Sequence, residues 1–179
     1  MAGPIDRLIR AVERLSHAAG VVSAILMIGM VLHILFEIVL RSFFSSSTFV
    51  LDEFVGYGVA AMTFLSLGYA LNEGALIRVN ILLGRTTGRP RIALEIFSAT
   101  VTLALTIFIT VYFWRSVARN WTREAVSESI AEIPLWIPEG LVLAGMILFA
   151  VQLAAYLLRL IAGDRKIVGE DTESLEQVE

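Results

Sequence analysis

Long apolar blocks separated by short polar stretches dominate the chain, rather than the two-residue alternation of a half-buried strand. Four blocks are long enough to cross a hydrocarbon core of about 30 Å, which takes about 20 helical residues. They run from about 18 to 40, 54 to 71, 92 to 113 and 138 to 158. His33 and Glu37 interrupt the first, the second carries no charge, and Glu95 falls in the first turn of the third. The fourth opens on Pro138 and Glu139, with the proline well placed at a helix start. Tyr112, Trp114, Trp121, Trp136 and Tyr156 lie near block ends, where amphipathic rings favour the membrane interface. The pattern predicts an all-α integral membrane protein with four transmembrane helices. Arg7, Arg10 and Arg14 precede the first block, but it is longer than a signal-peptide core and no cleavage pattern follows. It reads as an uncleaved span.

The segments between the blocks have patterns of their own. Ile5, Leu8, Ile9, Val12 and Leu15 share one helical face, with Asp6, Arg7, Arg10, Glu13 and Arg14 opposite. This predicts an N-terminal amphipathic interfacial helix, serving as a surface anchor ahead of a docking arm. Leu76, Val79 and Leu83 repeat the device between the second and third spans, with Arg78 and Arg85 on the other face. A short interfacial helix is expected there. Residues 114–133 read as a polar helix that extends the third span into solvent, with Arg115, Arg119 and Arg123 along one side. Residues 1–163 form the membrane domain, and 164–179 are expected to be an acidic, disordered cytoplasmic tail. No internal repeat is visible, so a transporter core built from inverted repeats is not supported.

Composition agrees with the blocks. Apolar residues make up 57% and charged residues 17% of 179, with a mean hydropathy of +0.78, which excludes an ordinary soluble enzyme and a disordered chain. The net charge of -3 is local: the tail holds six acids against Arg165 and Lys166. Thirteen Arg and one Lys are dispersed without a basic tract, so no nucleic-acid partner is expected. The absence of cysteine excludes thiol redox chemistry and Cys-ligated zinc. With both termini in the cytoplasm, ten basic residues fall inside and four (Arg41, Arg115, Arg119, Arg123) outside. The positive-inside bias of short loops therefore predicts that orientation.

Few residues offer chemistry. His17 and His33 are the only histidines and both lie in the first block, which argues against a haem held between helices. No catalytic grouping, phosphate loop or metal-binding run is present, so neither an enzyme nor a cofactor is expected. His33, Glu37 and Arg41 recur every fourth residue and line one face of the first helix. An ionisable residue inside a span is a functional candidate by default. The plainer reading is a Glu37–Arg41 pair one turn apart near the outer interface, on a face turned toward another helix. Such a pair predicts that loss of Arg41 harms the protein more than Glu37→Gln, because it strands the carboxylate. Ser47 or Thr48 is placed to cap the second helix, and Asp52 and Glu53 suit its N-terminal dipole. Pro134, Trp136, Pro138 and Gly140 mark a rigid apolar re-entry into the fourth span.

These features, in this order, resemble the small membrane subunit of TRAP transporters (tripartite ATP-independent periplasmic transporters), the DctQ-type family. The likeness spans about residues 5–162. It rests on Arg41 ending the first span, Glu53 opening the second, the stretch Asn72 to Leu82 with Arg78, and Ser129 through Pro134, Trp136, Pro138 and Gly140. In the third place family members typically read G-x-H-I-x-V-D-x-L, whereas here Leu76 and Asn80 stand for the His and Asp. The resemblance implies a bacterial inner-membrane scaffold subunit. It would pack beside a large membrane subunit that carries sodium-coupled symport, for an organic acid, often a carboxylate, delivered by a periplasmic binding protein. Membrane lipids are the remaining partner. A homo-oligomeric pore lined by the Glu37 stripe, or a structural subunit of another membrane complex, are the alternatives.

Overall fold

After Pro4 no proline occurs before Pro90, and the computed structural model runs Pro4–Phe44 as one 41-residue helix, α1. Residues 4–74 and 89–161 are described. The segment expected as a second interfacial helix (76–85), Arg78 within it, and the acidic tail from Asp164 lie outside them. Three further helices follow: α2 (Leu51–Asn72), α3 (Arg89–Thr122) and α4 (Trp136–Ile161). All four are long and apolar enough to cross a membrane. The four helices reach beyond the apolar blocks because polar turns at the ends continue the same backbone hydrogen bonding.

The expected N-terminal interfacial helix is not a separate element. Residues 16–20, which would have to bend it into the membrane plane, are Ser-His-Ala-Ala-Gly and contain no helix stop, so the first turns continue straight into the span. Their amphipathic face has a protein partner as well. Ile9 and Val12 are buried, and Glu13 and Ser16 reach across to α4. At a rise of 1.5 Å per residue, α1 is about 60 Å long, well beyond the 40–45 Å of a whole bilayer.

Spatial order differs from chain order. α2 packs between α1 and α4, and α4 packs between α2 and α3, giving the row α1–α2–α4–α3 with α1 also touching α4. Since α4 has a neighbour on each side, it is the most enclosed helix: Val142, Leu143, Met146, Phe149, Leu153, Leu157 and Leu160 are buried. Leu71, Ala99, Phe149, Leu153 and Leu157 form a shared core where α2, α3 and α4 meet. Gly145 sets the α2–α4 distance, because a Cβ there would stand 2.5 Å from the Phe64 carbonyl carbon. Small residues allow this close backbone approach in membranes, where packing rather than water exclusion holds helices together. The flank helices keep large apolar side chains exposed, among them Ile25, Leu32 and Phe36 on α1 and Phe97, Leu105 and Phe108 on α3.

The α3–α4 connection departs from the expected polar helix over 114–133. α3 stops at Thr122, and Glu124 takes a left-handed φ of 49°. The chain then folds back on itself, with Val126 opposite Pro134 and backbone bonds from Ser127 N to Ile133 O and from Leu135 N to Ala125 O. Pro134 has no N–H to give a helix, and the serines supply competing side-chain bonds, from Ser127 Oγ to the N–H of Ile133 and from Ser129 Oγ to that of Ala131.

Candidate functional site: polar clasps at the two ends of the helix row

One end of the row carries the connections 45–50 and 123–135. Here Glu37 is only 1% exposed, and both of its oxygens are engaged. Arg41 Nε donates to Oε1 at 2.9 Å, and Ser47 Oγ donates to the same oxygen. Oε2 accepts from the Thr48 N–H at 3.1 Å and from Thr48 Oγ1 at 2.7 Å. The Glu37–Arg41 pair expected from the four-residue spacing is therefore present, and the carboxylate has a further task. It gathers the α1–α2 turn onto the end of α1.

This arrangement changes the expected capping. α2 begins after Val50 with no side-chain cap: the Ser47 and Thr48 hydroxyls donate to Glu37, and Ser47 Oγ accepts from the Phe49 N–H, which lies before the helix. α1 ends in a left-handed Ser45 (φ 47°), with the Ser46 N–H reaching back to Leu40 O at 3.3 Å. His33 does not join the pair. Its ring lies 5.9 Å from that of Phe54, and its Nε2 is buried without a hydrogen bond among the described residues.

A second group lies nearby. Tyr57 donates to Glu53 Oε1 at 2.8 Å, and Glu53 Oε2 is buried without a hydrogen bond among the described residues. Glu139, in the first turn of α4, accepts from Asn120 Nδ2 at 2.9 Å and Ser116 Oγ at 3.4 Å. Trp136 opens α4 with its ring edge-on to Trp121 at 4.6 Å. Pro138 is buried in the first turn of α4, whereas Gly140 has open space where a Cβ would go. The close-packed glycine is Gly145 instead. Asp52 is exposed on the first turn of α2.

The other end holds a network not anticipated from the sequence. Ser16, wholly buried, donates to Gln152 Oε1 at 3.4 Å, and Gln152 Nε2 donates to Asn72 Oδ1 at 3.2 Å. Arg159 pairs with Glu13 at 2.6 Å. Three helices are thereby tied through one glutamine. The signal for it was present: between Glu139 and Arg159, Gln152 is the one amide in an otherwise apolar span with a single Tyr156. Polar groups inside spans seek partners on neighbouring helices. Glu95 is likewise buried, held by Arg91 one turn before it at 3.5 Å.

Such geometry holds helices and turns in place. It defines a four-span membrane protein in which buried polar side chains tie neighbouring elements together. Residues 30–163 match the family described as tripartite ATP-independent periplasmic transporters, DctQ component, and the chain belongs to that family. A comparison with curated proteins finds no match. Every described candidate residue from His33 to Gly140 falls inside the matched region, while Glu13 and Ser16 precede it.

Proposed function

We propose that this TRAP-transporter small subunit acts as a fixed scaffold. It packs beside the large membrane subunit, which performs sodium-coupled uptake of an organic acid handed over by a periplasmic binding protein. The observation that carries the reading is the open row of helices. α1 and α3 form its flanks and display long apolar faces, as a scaffold needs for lipid on one side and a larger subunit on another. The Glu37 clasp supports it further, since both oxygens of that carboxylate are engaged rather than kept free for a transport pathway. The pore reading loses ground for the same reason: Glu37 is buried and saturated rather than lining water. Both termini lie in the cytoplasm of a bacterial inner-membrane protein, placing the 45–50 and 123–135 connections, with exposed Asp52, where a periplasmic partner docks. Proteoliposome uptake tests this reading. The chain alone is expected to move nothing, and uptake is expected only with the large subunit and the binding protein present; sodium-driven uptake by the chain alone would overturn the proposal.

A further inference from the structure

Beside the Glu37 clasp the α1–α2 turn borders an open surface cavity of about 570 Å³, lined by Arg41, Ser45, Ser46, Ser47 and Phe49. Its donors are unspent. Arg41 uses Nε on Glu37 and one Nη2 hydrogen on Ser47, which leaves about three of the five guanidinium N–H groups free. The hydroxyls of Ser45 and Ser46 are exposed and have no hydrogen-bond partner among the described residues. Arg41 itself is 58% exposed, yet it is held in direction by the buried carboxylate behind it. Phe49, which is 73% exposed, supplies the apolar part of the lining.

Depth in the membrane decides what this combination meets. Between Arg14 and Glu37, α1 carries no acidic or basic residue apart from its histidines, a run of about 33 Å that matches the hydrocarbon core. Arg41 stands one turn past Glu37, about 6 Å further along the axis. The headgroup layer on each side of a bilayer is about 5–8 Å deep, so the cavity lies at the level of the lipid phosphates. A guanidinium fork matches two phosphate oxygens, and flanking hydroxyls complete the anion's shell. The exposed Phe49 in the lining suits the acyl side of the same molecule. We infer that the cavity at residues 41–49 is a binding site for the phosphodiester of a phospholipid headgroup. A site of this kind anchors the end of α1 at a fixed depth and keeps the flank helix in register with the bilayer.

Native mass spectrometry of the full chain, released from mild detergent and titrated with phosphatidylglycerol or phosphatidylethanolamine, tests the inference. One lipid is expected to stay bound per chain after the rest are stripped. Ser45→Asp with Ser46→Asp places like charge in the cavity without touching the Glu37 bonds and should weaken that lipid about tenfold or more. Both residues are solvent-facing, and aspartate tolerates the left-handed backbone of position 45. Ser46→Asp alone gives a second, milder variant with an intermediate loss, and helical circular dichroism should match the unmodified chain. Inorganic phosphate at millimolar concentration is expected not to displace the lipid. Displacement would reassign the site to a free anion and overturn the lipid proposal. Lipid retention unchanged in both variants would overturn the site itself.

Discussion

Glu37 receives four hydrogen bonds, and only one of them comes from Arg41. The carboxylate therefore serves the turn more than the pair. Removing Arg41 leaves the carboxylate bonded by Ser47 and Thr48, and the lost pair was more than half exposed on the arginine side, worth about 0–1 kcal/mol. Removing Glu37 strands a backbone N–H and two hydroxyls and frees the turn. Glu37→Ala should therefore lower the unfolding midpoint by at least roughly twice as much as Arg41→Ala, since unmet donors cost more than an exposed pair. The three tryptophans allow the comparison by intrinsic fluorescence during heating in detergent. An equal or larger loss in Arg41→Ala would show that the pair, not the turn, is what matters. Gln152 offers the second test at this scale. Gln152→Leu suits lipid better as a side chain but breaks the Ser16–Gln152–Asn72 chain, and a loss of about 0.6–1.7 kcal/mol is expected from interhelical hydrogen bonds of this kind. Steric trapping or denaturant titration in mixed micelles would measure it; a gain in stability would mean the network contributes nothing net.

Helices meet where their residues are small, and the α2–α4 contact turns on Gly145. A methyl group there would overlap the backbone at Phe64 and Leu65, which is not a flexible side-chain end that swings aside. Gly145→Ala should cost about 1–3 kcal/mol through forced separation of the two helices, and Gly145→Leu more. Gly140→Ala, five residues away with nothing within 4 Å of the new carbon, should be close to neutral by the same fluorescence measurement. If both alanine variants unfold alike, the close approach is not what orders the row. The α1 element follows a different logic. Its continuity from Pro4 to Phe44 lets Glu13 and Ser16 reach α4, so the amphipathic start works as a strut against the protein rather than a float on the membrane.

At the level of the whole molecule, the row α1–α2–α4–α3 leaves two flanks with exposed apolar faces and gathers polar clasps at both ends. This is the shape of a part that completes a larger assembly, as membership of the DctQ family implies. Orientation belongs to this scale too. Ten basic residues against four predict cytoplasmic termini, so alkaline phosphatase fused at Glu179 or after Leu71 should be inactive, while fluorescent-protein fusions at both places should glow. An active phosphatase at Glu179 would mean the opposite insertion.

Span number and helical class were legible in the chain because the bilayer imposes them locally: each block must satisfy its own backbone hydrogen bonds, and its length is set by membrane thickness. The Glu37–Arg41 pair was legible for a similar reason, since one helical turn brings i and i+4 together whatever the neighbours do. Family resemblance likewise followed from residues whose order along the chain is enough to carry it. The continuation of α1 through the expected interfacial helix needs only the absence of a helix stop at 16–20, but what that segment packs on was decided by tertiary contact, because Ser16 and Glu13 found Gln152 and Arg159 on a helix 136 and 146 residues away. Serines that read as caps became ligands of Glu37, and a polar run that read as helix turned back at Glu124. Each of these outcomes depends on which acceptor or surface the fold brings within reach. Periodicity reports the face a residue occupies, but only the packed structure supplies what stands opposite it.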